Sequence, residues 1–183
     1  GHPEIDLSVT NRPAGRQHAA RQRKVTAHPN QTLTIDSPIG PIAIDVADDT
    51  VVAIHLLGKR KAPVSGSSDH PLLRVAASQI DDYFCARLHT FDLPIMLHGT
   101  PFRRRAWEAL ARIPFGQTRS YGDIASEIGS AARAVGGACG ANPITLVIPC
   151  HRVVAAGGSL GGFSGGTGSD TKQWLLQHEQ NML

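Results

Sequence analysis

The residues of this chain best suited to covalent chemistry lie in one segment, 147–153, which reads VIPCHRV. Cysteine is a strong soft nucleophile, and a neighbouring base converts it to the reactive thiolate. Proline fixes its own φ and biases the residue before it towards extended structure. The apolar, β-branched run therefore predicts a strand that ends by presenting Cys150, with His151 next to it.

Two interpretations of Cys150 compete. A cysteine in an apolar run is most often a small buried hydrophobe. A thiol peptidase takes its cysteine and histidine from distant parts of the chain, whereas neighbours in an extended segment point to opposite faces. His151 would then reach Cys150 only through a tight turn or a bridging water, so the adjacent pair indicates a different thiol chemistry.

Composition and charge narrow the class of protein. The 183 residues, 41% of them hydrophobic, can bury the core of one domain or two small ones. No apolar run reaches membrane-spanning length, and no signal-peptide core is present. The three cysteines, Cys85, Cys139 and Cys150, show no CxxC spacing, which argues against disulfides or a cysteine-rich zinc site and predicts a cytoplasmic location. Cys85 is interpreted as structural.

The basic residues concentrate around the thiol. The formal net charge is +3, but residues 100–152 hold seven Lys or Arg and only three acidic residues. A basic segment that contains a reactive thiol favours a polyanionic substrate. The alternative is that these basic residues form a solvated helix face, and charge alone does not decide between the two explanations.

The chain divides into three parts. Residues 1–30 are polar and basic, start with an apparent tag remnant, and are predicted to be a disordered tail. Residues 31–98 predict strands at 32–36, 42–46 and 51–57 in an antiparallel meander. A helix from about 72 to 88, capped by Asp69, covers that sheet. Residues 99–183 predict a mostly helical domain that carries Cys150.

Two short helices form the centre of the third part. Ser120 and Asp123 have capping-box spacing and start a helix over 121–128, which Gly129 closes. Ser130 is predicted to cap the next helix, 131–140, so that the pair resembles a helix-turn-helix. A helix at 101–113 precedes them. An amphipathic helix at 171–179 ends the chain and places Glu179 near the edge of its buried face.

The helix at 131–140 has almost no bulky side chains. Gly136 and Gly137 each cost about 1 kcal/mol relative to alanine in a helix interior, so close approach to another backbone would explain them. Small residues suit a DNA minor groove about 6 Å wide, with Arg133 as the one long side chain placed to enter the base stack. Close packing on a neighbouring helix is the alternative, and both remain open here.

Five separated segments together resemble the O6-alkylguanine-DNA alkyltransferases. They read PCHRV at 149–153, SYGDI at 120–124, RAVGGA at 133–138, NP at 142–143 and WLLQHE at 174–179. The match is close over 99–183 and loose over 32–98, the family's variable N-terminal domain. The resemblance implies an α+β fold. Its N-terminal part would be a small RNase H-like antiparallel sheet with a covering helix, and its C-terminal part a winged helix-turn-helix-like DNA-binding domain carrying the active site.

The resemblance also implies a function, DNA repair by direct reversal of damage. The protein would bind double-stranded DNA containing O6-alkylguanine, flip the damaged base out of the duplex, and move the alkyl group irreversibly to its own cysteine. O4-alkylthymine would be a further substrate. The reaction would occur once per molecule and would need no cofactor. The protein would be cytoplasmic, as in bacteria, or located wherever DNA is accessible, and it would not be secreted. It would be a monomer that acts alone on DNA or clusters there.

Residue roles follow from the same matching. Cys150 would accept the alkyl group, His151 would take its proton through water, and Glu179 would orient the imidazole. Tyr121 would donate to the ring nitrogen of the departing guanine. Asn142 would tie the recognition helix to the active-site turn.

DNA-facing and pocket residues are matched in the same way. The DNA-binding set is Ser120, Tyr121, Arg133, Ala134 and Gly136, with Arg133 as the finger that fills the gap left by the flipped base. The pocket set is Val153, Gly161, Phe163 and Ser164. Phe163 stands where many members have tyrosine, so any hydroxyl contact there is lost. Zinc sites in some members need N-terminal cysteines, and none precedes Cys85, so no metal is predicted.

Two other classes of protein compete with the alkyltransferase. A damage sensor or helix-turn-helix regulator would bind DNA without reacting, although members that only bind damage carry tryptophan in place of the nucleophile. A cysteine hydrolase would turn over repeatedly on esters or amides, which the adjacent Cys-His pair disfavours.

Overall fold

A computed structural model describes residues 31–60 and 69–183. The tail predicted at 1–30 and most of the loop after the third strand therefore lie outside the described residues. Three strands, β1 (Gln31–Ile35), β2 (Ile42–Ala47) and β3 (Thr50–Leu56), form an antiparallel sheet in the order β1-β2-β3. This confirms the predicted meander to within one residue at each strand end.

Helix α1 (Pro71–Phe84) lies against this sheet. His70, not the predicted Asp69, is its N-cap, since the His70 side chain accepts a hydrogen bond from the backbone N–H of Leu72 at 3.2 Å. The helix ends before residue 88, so Cys85 falls at its C-terminus, where it is exposed rather than structural. The buried face of α1 consists of Leu73, Ala76, Ile80 and Tyr83.

Four further helices follow: α2 (Pro101–Ala111), α3 (Tyr121–Ile128), α4 (Ala132–Gly140) and α5 (Ser169–Asn181). The predicted capping box of Ser120 and Asp123 is confirmed at the start of α3, with Gly129 in the left-handed region at its end. The Ser130 cap is wrong. Ala131 is the N-cap of α4 and, having no polar side-chain atom, makes no side-chain cap bond. Ser130 instead closes α3, since its backbone N–H donates to the carbonyl of Ala125 at 2.8 Å.

The segment before Cys150 is not the predicted strand. Its backbone makes turn bonds instead of a ladder, from Ile148 N–H to Ile144 O at 3.0 Å and from Cys150 N–H to Ile148 O at 2.8 Å. Cys150–Arg152 then form a single 3₁₀ turn. Only after it does the chain extend, as β5 (Val153–Val154), which pairs in parallel with β4 (Arg119–Ser120).

One buried core joins the sheet to the helices, which makes this a mixed α/β fold. The N–H of Ile54 in β3 donates to the carbonyl of Pro143 at 2.9 Å, so the sheet edge contacts the segment between α4 and Cys150. Trp107 of α2 is buried and donates from its indole nitrogen to the carbonyl of Ala138 in α4 at 2.8 Å. Over residues 31–60 and 69–183, no helix is long and apolar enough to cross a membrane.

Candidate active site

A cavity of about 940 Å³ opens above Cys150. This is near the upper end of the roughly 300–1,000 Å³ typical of ligand pockets. Its walls come from four places: the end of β3 and the residues after it, helices α3 and α4, the segment from the end of α4 to Cys150, and the glycine-rich loop before α5. The lining residues that the sequence predicted are Cys150, Tyr121, Asn142, Gly136, Phe163 and Ser164. The predicted pocket residues Val153 and Gly161 do not line it.

The thiol of Cys150 is 5% exposed at the base of this cavity. Burial raises the pKa of the thiol, while a side-chain hydrogen bond from Asn142 and the charge of Lys172 act in the opposite direction. Asn142 also donates to the carbonyl of Ile148 at 2.8 Å and accepts from the N–H of Ile144 at 3.0 Å. It therefore links the chain just after α4 to the turn that presents Cys150.

His151 is completely buried and does not line the cavity. Its Nε2 lies 2.7 Å from Oε1 of Glu179. A carboxylate with a depressed pKa can only accept, so Nε2 carries the hydrogen and Nδ1 is the basic atom. Within the described part of the chain, Nδ1 has no hydrogen-bond partner. Burial lowers the pKa of His151, which keeps the ring neutral and able to take a proton.

Glu179 is buried, not at the edge of its helix face as predicted from the sequence. Its carboxylate accepts from His151, twice from Arg152 at 2.9 and 3.0 Å, from the hydroxyl of Tyr83 at 2.8 Å, and from the N–H of Gly116 at 3.0 Å. Burial acts to raise the pKa of Glu179, but the bonds from His151 and Arg152 outweigh it and hold this pKa far below the ordinary value. The carboxylate is therefore ionised at any working pH.

Tyr121 points to the glycine-rich loop and to a lysine that the sequence analysis missed. Its hydroxyl donates to the carbonyl of Gly162 at 3.2 Å and accepts from Nζ of Lys172 at 3.3 Å. Lys172 Nζ also donates to the carbonyl of Val153 at 2.6 Å. Burial raises the pKa of Tyr121 to about 12, so the phenol keeps its proton. Burial lowers the pKa of Lys172.

Lys172, Arg152 and Tyr83 are the site residues that the sequence analysis did not assign. A signal existed for Lys172, since it shares the face of α5 that holds Leu175 and Glu179, at helical spacing. A lysine on an otherwise buried helix face needs hydrogen-bond or charge partners there, and this requirement identifies Lys172 as a candidate site residue. Tyr83 carried no such signal, because it lies 96 residues from its partner Glu179.

The glycine-rich loop contacts Tyr121 closely. Gly161 has a φ of +68°, and a Cβ there would lie 2.9 Å from Cε2 of Tyr121. A side chain at this position would be strained in the backbone and would displace the ring. Gly161 thus acts on the cavity through Tyr121, without lining it.

The exposed face of α4 borders the cavity, which Ala132, Gly136 and Gly140 line. Arg133 is exposed, and Ala134 and Gly136 are partly so. A Cβ added at Gly137 or Gly140 would meet nothing within 4 Å, and one at Gly136 would only touch Tyr121 at 4.0 Å. Packing inside the described chain therefore does not require these glycines, which removes the helix-packing explanation left open by the sequence.

No group of three or more His, Cys, Asp or Glu side chains is placed to hold a metal ion in residues 31–60 and 69–183.

The site consists of a buried thiol, a neutral histidine next to it in the chain, and an ionised carboxylate, at the base of a cavity flanked by two short helices. This combination of residues suits a thiol that accepts a chemical group in a covalent bond and retains it.

Comparison with known proteins identifies the family. A family model for the DNA-binding domain of 6-O-methylguanine DNA methyltransferase matches residues 101–181. A methylated-DNA–protein-cysteine methyltransferase of Mycolicibacterium paratuberculosis is 44% identical over 151 residues, covering 80% of this chain and 90% of that protein. One from Methanosarcina acetivorans is 40% identical over 149 residues, covering 79% of this chain and 94% of that protein.

A solved structure agrees with these relatives. The crystal structure of Mycobacterium tuberculosis OGT in complex with DNA matches with a TM-score of 0.72 at 41% identity, covering 81% of this chain and 92% of that one. The chain belongs to the methylated-DNA–protein-cysteine methyltransferase family. It is a DNA-repair methyltransferase with a DNA-binding domain.

Proposed function

We propose that this protein repairs DNA by moving the alkyl group of O6-alkylguanine, and of O4-alkylthymine, to the sulfur of its own Cys150. The sulfur forms a bond to the alkyl carbon as the bond from that carbon to O6 breaks, and the base leaves with the electron pair. A thioether does not hydrolyse at neutral pH, so each molecule acts once. The observation that carries the proposal is the buried thiol beside the neutral, carboxylate-bound His151 under an open cavity.

The resting pair is a neutral thiol and a neutral imidazole. Burial opposes charge on both partners, raising the pKa of Cys150 and lowering that of His151. We infer that the thiol proton passes to Nδ1 of His151 through a bridging water when the alkylated base is bound. Glu179 holds Nε2–H in place and stabilises the imidazolium that forms.

The departing base requires a proton donor. The phenol of Tyr121 lies in the cavity wall and keeps its proton at neutral pH. The ammonium of Lys172 donates to the phenol oxygen, which makes the phenol a stronger donor. We assign Tyr121 the role of hydrogen-bonding the ring nitrogen of the base as negative charge develops there, its one hydrogen turning from the carbonyl of Gly162 when the base binds. Backbone groups of Ser164 and Cys150 would read the base edge.

DNA would dock on α3 and α4, which we interpret as a winged helix-turn-helix whose second helix enters the minor groove. The support is the bare glycine surface of α4 that borders the cavity. Ser120, Ala134 and Gly136 would lie along the DNA backbone, and Arg133 would occupy the space that the flipped base leaves in the duplex.

We further propose that the chain divides near residue 98 into two domains, of which the N-terminal one is RNase H-like. We also propose that the protein is cytoplasmic and monomeric.

Arg133→Ala tests base flipping. We expect single-turnover repair of a duplex containing O6-methylguanine to slow by about 10-fold or more, since an unstacked base pair costs a few kcal/mol that the arginine helps to offset. Reaction with free O6-benzylguanine should change by less than about twofold, because Arg133 is exposed outside the cavity. Arg104→Ala, an exposed arginine on α2, is the matched control. Equal losses on both substrates would contradict the finger role.

Intact-protein mass spectrometry tests the reaction itself. The protein is mixed with excess duplex containing O6-methylguanine, and the products are digested and mapped. We expect a gain of one methyl group per chain, located on Cys150 and absent from Cys85 and Cys139, with no further turnover. Duplex with unmodified guanine is the control. Tight binding with no gain in mass would identify a damage sensor, and repeated turnover on esters would identify a hydrolase.

A further inference from the structure

We propose that Tyr83 of helix α1 is a positioning residue for alkyl transfer, which controls proton acceptance by His151 through the shared carboxylate of Glu179. This inference rests on the proposed function of Cys150 and His151. It makes the region before residue 98, far from the thiol in sequence, a functional part of the site.

The geometry joins the two rings through one oxygen atom. The hydroxyl of Tyr83 donates to Oε1 of Glu179 at 2.8 Å, and the same Oε1 lies 2.7 Å from Nε2 of His151. Arg152 donates to this Oε1 as well, from Nη2 at 3.0 Å, so three donors share one acceptor oxygen and compete for its electron density. A stronger bond from Tyr83 therefore weakens the support that Glu179 gives to a protonated His151.

Tyr83 is held rigidly enough to act in this way. Its side chain is fully buried, and its ring contacts Phe84, Phe91, Phe115 and His178 at centroid distances of 5.2 to 6.0 Å. Its backbone carbonyl lies 3.0 Å from Nε2 of His178. Burial, together with the charge of Glu179, raises the pKa of Tyr83 far above the ordinary value. The hydroxyl is thus always a donor.

The other groups around the carboxylate do not duplicate this role. The charged and titratable groups that face Glu179 and His151 from the packed elements are Arg152 beside His151, Cys150 in the same turn, and Lys172 and His178 on α5. Arg152 and Lys172 are cations, which lower the pKa of His151 by charge. The hydroxyl of Tyr83 carries no charge, so it can be removed without altering the charge of the site.

Tyr83→Phe removes this donor and little else. Oε1 then becomes a stronger acceptor for Nε2–H, the protonated ring is stabilised, and the pKa of His151 rises. His151 cannot act as a base below its pKa, so the acid limb of the rate profile moves to higher pH. We expect a shift of about one pH unit, which makes transfer about 10-fold slower well below the inflection and nearly unchanged above it.

The measurement is the single-turnover rate of alkyl transfer from about pH 5 to pH 9 for wild type and Tyr83→Phe, beside the Tm of each. Phe91→Leu is the matched control, because it loosens packing on the Tyr83 ring but leaves the hydroxyl. It should lower the Tm and leave the inflection in place. An unmoved inflection in Tyr83→Phe would reduce Tyr83 to a structural residue and overturn the proposal.

A second variant decides the matter if Tyr83→Phe does not fold. Replacing Tyr83 with 3-fluorotyrosine keeps the shape and makes the hydroxyl a stronger donor, so the inflection should move to lower pH. No movement would overturn the proposal. Absence of transfer by the wild-type protein would instead be a failure of the proposed function, so the two failures are distinguishable.

Discussion

Cys150→Ser is expected to bind alkylated duplex with nearly wild-type affinity and to accept no alkyl group. A serine hydroxyl has a far higher pKa than a thiol and forms no comparable nucleophile beside a histidine that must stay neutral until substrate binds. The replacement is small, and the exposed face of α4 is not altered. The change in binding free energy should therefore stay below about 0.5 kcal/mol.

The measurement combines DNA binding by titration with methyl transfer by mass spectrometry. Cys139→Ser is a sharp control, because Cys139 lines the same cavity and burial raises its pKa to about 12. We expect this control to bind DNA and to accept one methyl group. Loss of transfer in Cys139→Ser with retention in Cys150→Ser would move the acceptor to α4. Equal loss of binding and transfer in Cys150→Ser would show that the two roles are not separable.

Sequence patterns correctly predicted the elements whose formation depends on residues close together in the chain. Alternation predicted the three strands, and the Ser120–Asp123 spacing predicted the start of α3. These patterns involve residues within a few positions of each other. The caps of α1 and α4 were wrong by one residue each, since several neighbouring residues can cap and tertiary contacts choose among them.

The turn at Cys150 could not be predicted from its composition. The segment before it is rich in β-branched residues, which favour a strand. The structure instead bends the chain there, because Asn142 bonds the carbonyl of Ile148 and occupies a group that a ladder would have used. A single side chain eight residues from Cys150 overrides the propensity of the run, and periodicity does not contain that information.

The partners of Glu179 show the same limit at longer range. Only family resemblance pairs Glu179 with His151, and no sequence pattern pairs the carboxylate with the tyrosine and the arginine that also bind it. Helical periodicity can show that a carboxylate lies near a buried face. It cannot show which donors converge on it, since these come from α1, from the turn after α2 and from the turn at Cys150.

Removing one charge from the buried Glu179–Arg152 pair should have the largest effect on stability. Arg152 is 6% exposed, bonds both carboxylate oxygens, and donates from Nη1 to the carbonyl of Ile113 at 2.7 Å. Glu179→Gln leaves the guanidinium without its counter-charge, and Arg152→Met leaves the carboxylate without its cationic donor. Breaking a buried ion pair in this way costs about 3–5 kcal/mol.

The pH dependence of this cost has a defined sign. The pKa of Glu179 is depressed in the folded protein, so its contribution to stability is fully present above the pKa of an unfolded glutamate, about 4.3. The contribution is lost as the pH falls from there through the folded pKa. The difference between wild type and Glu179→Gln should therefore be constant at neutral pH and shrink in acid.

A double-mutant cycle in urea at neutral pH separates the ion pair from the surrounding hydrogen bonds. The free energy of unfolding is measured for wild type, Glu179→Gln, Arg152→Met and the double variant. The double variant leaves neither charge unpaired, so its cost should be smaller than the sum of the single costs by about 1–3 kcal/mol. Additive costs would mean that the two groups do not stabilise each other. Glu179 would then be held mainly by His151, Tyr83 and the backbone N–H of Gly116, and its role in orienting the base would not depend on the arginine.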